Sequence, residues 1–142
     1  MQRTGNAVWE GDLKSGAGTL TTGSGVLSKQ RYDFGSRFEE GTSTNPEELI
    51  AAAHAGCFAM SITAELTKAG ITAKRIVADA KVTLDRVDGK PTVTKIALSV
   101  VADVPGATRD QVKTIVEGAK ANCVISRLLN AEITLASTDI TV

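Results

Sequence analysis

The chain has 142 residues, 42% of them apolar, which is enough for one folded domain with a buried core. Its 16 Lys and Arg balance its 16 Asp and Glu without a long run of like charge, so neither a nucleic-acid surface nor a polybasic membrane anchor is expected. The segment from Met1 to Asp12 lacks the apolar region of a signal peptide, and we expect no apolar stretch long enough to span a bilayer. We therefore expect one cytoplasmic domain over residues 1–142, with no membrane or nucleic-acid partner.

The region from Ala7 to Phe38 has short apolar runs broken by glycines, a pattern typical of strands. Glycine supplies the positive φ angles of tight turns, so the sequence Gly23-Ser24-Gly25 is expected to form a hairpin tip. The pattern predicts two or three antiparallel strands.

A long helix is predicted from Pro46 to about Gly70. Asn45 can cap it, Pro46 fits its first position, and Glu48 stands where its side chain can bond back to the cap. Gly70 provides a C-terminal stop. Because the helix is alanine-rich and apolar around most of its circumference, we expect it to be buried on most sides at the centre of the molecule.

Two later segments, residues 73–84 and 92–104, alternate between apolar and polar side chains in the manner of strands. The sequence Asp88-Gly89 between them is a common tight-turn sequence. We expect a second hairpin here.

The last third of the chain predicts two helices and a strand. Thr108 can cap the first helix, Asn122 interrupts it, and residues 123–129 can form a short second helix. A strand over residues 132–142 follows. The whole order is strands, helix, strands, helix, strand, which is an α+β arrangement.

The chain has two cysteines, and local electrostatics does not favour Cys57. Cys57 lies about three turns into the long helix, beyond the reach of the helix dipole, where cysteine is ordinarily an unreactive core residue. Cys123 follows Asn122 at the start of the short helix, where free N–H groups favour a thiolate. On this basis Cys123 would be the nucleophile, and that alternative stays open.

Other chemistries have little support in the sequence. A zinc site needs about four ligands, which two cysteines and the single His54 do not supply. His54 lies three residues before Cys57 and could act as a base, but a packed helix histidine is the commoner outcome, and we assign it no catalytic role. Nucleophile-elbow, P-loop and dinucleotide motifs are absent. We expect no metal or other cofactor.

The segment Thr44–Phe58, TNPEELIAAAHAGCF, closely resembles the helix that carries the peroxidatic cysteine in the OsmC/Ohr family. Weaker matches extend the resemblance over essentially the whole chain: VWEG at Val8–Gly11, YDFGSRFE at Tyr32–Glu39 and AKANC at Ala119–Cys123. In the OsmC branch of this family an arginine follows the N-terminal hairpin, and Arg37 is similar in position.

The resemblance implies a role for each site residue. Cys57 would be the peroxidatic thiol, Cys123 the resolving thiol, Arg37 the activating cation and Glu47 the carboxylate that orients the arginine. It also implies an α+β OsmC-like fold, in which antiparallel sheets wrap around the long central helices of an intertwined homodimer. The substrate would be an organic hydroperoxide, and the reductant a dithiol such as a lipoyl group.

Four apolar side chains are candidates for a substrate pocket near the thiol: Phe34, Phe38, Phe58 and Met60. Such a pocket would favour organic hydroperoxides over hydrogen peroxide. Without the family motif, Arg37 would be interpreted as an exposed strand charge.

Helix geometry adds an expectation about Glu47. Ten residues separate Glu47 from Cys57, a rise of about 15 Å on a continuous helix, which is too far for one site served by both side chains. Either the helix breaks or Glu47 acts in trans. We expect that Arg37 and Glu47 of one subunit complete the site around Cys57 of the other, so that the homodimer is obligatory.

One departure from the family and two rival functions remain. Val124 stands where the family usually has proline, which bears on the speed of resolution. A noncatalytic, stress-associated ligand-binding dimer is the first rival, and the joint presence of all four site residues argues against it. A redox sensor is the second, and the lack of a DNA-binding signature argues against it.

Overall fold

The computed structural model describes all 142 residues, which form two compact units, Met1–Leu49 and Ile50–Val142. The first unit contains a three-stranded antiparallel sheet made of β1 (Gly5–Glu10), β2 (Ala17–Thr22) and β3 (Gln30–Asp33). Gly25, with a φ of 77°, lies in the β2–β3 connection where the hairpin tip is predicted. The predicted N-terminal strands are therefore confirmed.

Gly18 of β2 brings two aromatic rings together. It pairs with Trp9 on one side and with Tyr32 on the other. A Cβ at this position would collide with the Tyr32 ring. Because glycine has none, the rings of Trp9 and Tyr32 approach to 5.4 Å between centroids.

A short helix, α1 (Phe34–Phe38), replaces the end of the predicted strand region. Asp33 ends β3 and caps α1, because its Oδ1 accepts a hydrogen bond from the Ser36 N–H at 2.8 Å. The Ser36 hydroxyl in turn lies 3.1 Å from the Asp33 N–H. Arg37 consequently lies on a capped helical turn and not on a strand.

The long helix, α2 (Pro46–Lys68), begins and ends as predicted. The Glu48 N–H donates to Asn45 Oδ1 at 2.8 Å, whereas the Glu48 carboxylate accepts from the Thr44 hydroxyl rather than bonding back to the cap. At the other end, Gly70 has a φ of 72° and the Ile71 N–H donates to the Leu66 carbonyl, which is a Schellman termination.

The second unit contains a mixed three-stranded sheet and two further helices. Its elements are β4 (Arg75–Val87), β5 (Lys90–Asp103), α3 (Arg109–Asn122), α4 (Val124–Leu128) and β6 (Glu132–Thr141). The β4–β5 hairpin turns at Asp88 and Gly89, both at positive φ, and Thr108 caps α3, so these predictions are confirmed. The expected antiparallel arrangement holds for β4 and β5, but β6 runs parallel to β5. The crossover through α3 and α4 allows this direction.

The core of the second unit lies between its sheet and its helices. Alternate residues of β5 face one side, and every fourth residue of α2 faces them. The fully buried side chains include Phe58, Ile62 and Leu66 of α2, Leu98 and Val100 of β5, and Val112 and Val116 of α3.

α2 is less buried than the sequence predicts. Within the single chain only the stripe of His54, Phe58, Ile62 and Leu66 is buried, while Met60 on the other side is 75% exposed. Alanine supplies apolar surface without specifying a direction of packing, so composition does not predict which face is buried within one chain.

By length and composition, α2 could cross a membrane, with a mean hydropathy of 1.4 over its most apolar 18 residues. The expectation that no stretch is long enough is therefore wrong. One such helix is weak evidence, because core helices of soluble proteins have the same composition.

Candidate active site

The two cysteines of the second unit lie in contact. Cys57 projects from α2, and Cys123 is the single residue that joins α3 to α4. Their sulfurs are 2.9 Å apart, and both thiols are free. Cys123 is fully buried and Cys57 partly buried. A disulfide needs the sulfurs about 2 Å apart, so bridging requires only a small movement.

The surroundings of the two thiols shift their pKa values in opposite directions. Burial raises the pKa of Cys57, and the hydrogen bond with Cys123 raises it further, against opposing N–H groups of Ile125 and Val124. For Cys123 burial acts in the same upward direction. Its hydrogen bond with the Cys57 side chain and those with Ser126 and Ile125 outweigh burial, so the pKa of Cys123 is lowered. Within one chain, the more acidic thiol is therefore Cys123.

In the first unit, Arg37 of α1 and Glu47 in the first turn of α2 form a bidentate ion pair. Arg37 Nε lies 3.0 Å and 3.2 Å from the two Glu47 oxygens, and Nη2 lies 2.8 Å from Oε1. The Arg37 guanidinium also lies 5.1 Å from the centre of the Phe38 ring. The Arg37 side chain remains 40% exposed, so its outer edge can still bind an anion.

Two hydrogen bonds hold α1 against the start of α2 and so position this pair. The Asn45 side-chain amide donates to the Ser36 carbonyl at 2.7 Å. The Ser36 hydroxyl reaches the Thr44 carbonyl at 2.9 Å. Asn45 also caps α2, so a single side chain links the cap to the helix that carries Arg37.

The predicted pocket residues are divided between the two units. Phe34 and Phe38 stack at 4.9 Å and, with Arg37, line a cavity of about 240 Å³ in the first unit. Phe58 is fully buried in the core of the second unit and is not among the residues that line this cavity. Met60 is exposed because residues two apart on a helix point in nearly opposite directions.

His54 and Ser126 form a polar pair beside the cysteines. His54 is fully buried in α2, and its Nε2 lies 2.8 Å from the Ser126 hydroxyl oxygen in α4. Burial lowers the pKa of His54, which favours the neutral ring. No catalytic role was expected for His54, and Ser126 was expected only to keep its usual family position after Cys123. A usable signal was present, since each lies three residues from a cysteine and so shares a helix face with it.

No group of three or more His, Cys, Asp or Glu side chains is arranged to hold a metal ion. The chemistry available to the described residues is that of the thiol pair, the arginine–glutamate pair and the histidine–serine pair.

Comparisons with known proteins identify the family of this chain. The family model described as OsmC-like protein matches residues 39–138. Peroxiredoxin OsmC from Escherichia coli (strain K12) is 49% identical over 135 residues, covering 95% of this chain and 94% of that protein, and its namesake from Shigella flexneri matches equally well.

Solved structures show the same fold at lower identity. An OsmC-like protein of unknown function from Vibrio cholerae matches with a TM-score of 0.77 at 20% identity over 99% of both chains. An organic hydroperoxide resistance protein from Elizabethkingia anophelis matches with a TM-score of 0.75 at 24% identity, also over 99% of both chains. The predicted α+β OsmC-like fold is confirmed. This chain belongs to the OsmC family and is an enzyme of the peroxidase class.

Proposed function

We propose that this enzyme reduces organic hydroperoxides to alcohols through Cys57 and Cys123. The observation that carries the proposal is the 2.9 Å separation of the two sulfurs. Two thiols in contact can pass from sulfenic acid to disulfide without a large rearrangement. The peroxiredoxin name of the 49% identical relatives supports this chemistry.

The reaction has two steps on the enzyme. The Cys57 thiolate attacks the terminal oxygen of ROOH, the O–O bond breaks, and the alkoxide takes a proton and leaves as ROH. Cys57 is then a sulfenic acid. The Cys123 thiolate attacks the Cys57 sulfur, the S–O bond breaks, and the departing hydroxide takes a proton to become water. An external dithiol, for which we propose a lipoyl type, reduces the disulfide and is itself oxidised.

Cys57 needs a cation to act as the first thiolate, because burial raises its pKa within one chain. Arg37, held by Glu47, is the proposed cation. α2 runs without a break from Pro46 to Lys68, so about 15 Å of helix separates Glu47 from Cys57. This unbroken course supports our proposal that Arg37 and Glu47 of one subunit serve Cys57 of the other.

The homodimer that this requires also has support in the exposed surface of α2. Ala53, Gly56, Met60 and Ala64 form an exposed apolar or small-residue face opposite the buried stripe. A second copy of this chain would cover that face. We propose an obligate homodimer of one OsmC-like domain per chain, residues 1–142, and a cytoplasmic location.

The cavity beside Arg37 supports an organic substrate. Its lining includes the rings of Phe34 and Phe38 together with the guanidinium. An apolar wall would take the alkyl part of ROOH while the guanidinium contacts the peroxide oxygens. Met60 is proposed as a further contact in the dimer.

The test is to treat reduced protein with less than one equivalent of cumene hydroperoxide and to map the products by mass spectrometry. We expect a Cys57–Cys123 disulfide in the wild type and a trapped Cys57 sulfenate in Cys123→Ser. The decisive control is Cys57→Ser. If Cys123 forms a sulfenate in that variant as fast as the wild-type protein reacts, the roles of the two cysteines are reversed. The lowered pKa of Cys123 is the observation that favours this alternative.

A further inference from the structure

The buried pair of His54 and Ser126 has no part in the mechanism described so far. His54 is fully enclosed, and its one polar contact is the 2.8 Å approach of Nε2 to the Ser126 hydroxyl oxygen. His54 Nδ1 is buried without a partner. A buried polar ring is costly unless it is bonded, so its retention beside the thiols needs an explanation.

The unpaired nitrogen identifies the tautomer of His54. A neutral imidazole carries its hydrogen on one nitrogen and accepts on the other. An orphaned N–H in a protein interior is rarer and more costly than an unpaired acceptor. The hydrogen therefore belongs on Nε2, which donates to Ser126.

This tautomer determines the direction of the next hydrogen bond. A serine hydroxyl has one hydrogen to donate, and because Ser126 Oγ accepts from His54, its own hydrogen remains free. Ser126 lies three residues after Cys123, in the first turn of α4, so its hydroxyl is placed to donate to the Cys123 sulfur, and it lowers the pKa of that thiol. The donors thus run in one direction, from His54 to Ser126 to Cys123. The N–H groups of Val124 and Ile125 lower the pKa of Cys57, and Ser126 is not among the groups that do so.

We propose that His54 and Ser126 are positioning residues for resolution, in which His54 orients the Ser126 hydroxyl so that its hydrogen holds the Cys123 sulfur as a thiolate facing Cys57. The inference rests on the proposed function, since it requires Cys123 to be the resolving thiol. We call the hydrogen-bond donors from His54 through Ser126 to Cys123 the relay. The relay should speed attack of Cys123 on the Cys57 sulfenic acid without assisting attack of Cys57 on the peroxide. Its lowering effect on the pKa of Cys123 agrees with this role.

The experiment follows the Cys57 sulfenate in time. Reduced protein is mixed with one equivalent of cumene hydroperoxide, quenched with dimedone at intervals and analysed by mass spectrometry, while peroxide consumption is recorded in parallel. In Ser126→Ala we expect the sulfenate to persist about tenfold longer than in wild type, because a hydrogen bond to a charged sulfur is lost. Consumption of the first equivalent of peroxide should be no slower.

Three variants separate this role from a merely structural one. Ser126→Thr keeps the hydroxyl and should restore the wild-type lifetime. His54→Leu removes the orienting donor and should lengthen the lifetime as Ser126→Ala does. Ser61→Ala is the matched control, because the Ser61 hydroxyl donates to the Ala119 carbonyl at 3.3 Å and contacts neither sulfur. It should leave the lifetime unchanged.

The outcomes distinguish this inference from the proposed function. A wild-type sulfenate lifetime in Ser126→Ala, or equal slowing of both steps, would overturn the relay while leaving the peroxidase mechanism intact. Failure to trap any Cys57 sulfenate, in wild type and in Cys123→Ser alike, would overturn both.

Discussion

Arg37 and Glu47 meet through three hydrogen bonds although ten residues separate them in the chain. Replacing Glu47 by Gln should leave Arg37 without its orienting carboxylate and lower kcat/KM for cumene hydroperoxide by about 10- to 100-fold. The free energy of unfolding should change by less than about 1 kcal/mol, because the pair is partly exposed. Kinetics and urea titration of the same preparation measure both quantities.

Glu48→Gln is the matched control for this prediction. Glu48 is the neighbouring carboxylate, and its side chain contacts Thr44 and not Arg37. Equal losses of activity in the two variants would show that Glu47 acts through general charge and not through its pairing with Arg37.

Asn45 should contribute to stability twice, as the cap of α2 and as the donor to the Ser36 carbonyl. We expect Asn45→Ala to lower the free energy of unfolding by about 1–2 kcal/mol. Asn45→Ser keeps a capping oxygen but not the amide donor, and it should lose about half as much. Urea denaturation at equilibrium measures the difference, and a serine variant as unstable as the alanine variant would assign the whole effect to the Ser36 contact.

Local chemistry explains which parts of the fold the sequence could predict. The caps at Asn45 and Thr108 and the turn at Asp88 depend on a few adjacent residues. The parallel direction of β6 and the position of the buried stripe of α2 depend on distant packing, and the sequence analysis predicted neither. Alternation of apolar and polar residues does not encode the direction of a strand, and alanine content does not encode which face of a helix is buried.

The candidate site could likewise be predicted only in part from the sequence. Composition and electrostatics gave no reason to prefer Cys57, and its pairing with Cys123 came from the family resemblance. The contact between the two sulfurs joins residues 66 positions apart, which no local pattern encodes. No role was predicted for the Ser126 hydroxyl, because its contact is with His54, 72 positions away.

His54 should make the protein sensitive to acid. Burial lowers the pKa of its folded form below the ordinary value of 6.5, so below that pH the unfolded chain binds more protons than the folded one. Stability should thus be constant above about pH 6.5 and fall below it by up to about 1.4 kcal/mol per pH unit. Urea titrations across this range measure the slope.

His54 is the single histidine of the chain, so the variant His54→Leu isolates its effect. Carboxylates are common to both proteins, and the difference between their slopes belongs to the histidine. If His54→Leu loses stability as steeply as the wild type between pH 6.5 and the carboxylate range, the acid sensitivity has another origin.

The proposal that the site is shared between subunits can be tested by co-expressing two variants that are each expected to be inactive. Arg37→Ala lacks the cation, and Cys57→Ser lacks the nucleophile. If Arg37 acts in trans, a heterodimer of the two holds one complete site, formed by Cys57 of the first variant and Arg37 of the second. Random pairing on co-expression should then restore about a quarter of the wild-type activity per subunit. If Arg37 acts in cis, no heterodimer contains an intact site, and the co-expressed mixture will remain as inactive as its components.

A double variant that carries both changes, co-expressed with wild type, gives the reciprocal test. If Arg37 acts in cis, its heterodimer with wild type holds one complete site, because both residues come from the wild-type chain. If Arg37 acts in trans, this heterodimer should contribute no activity.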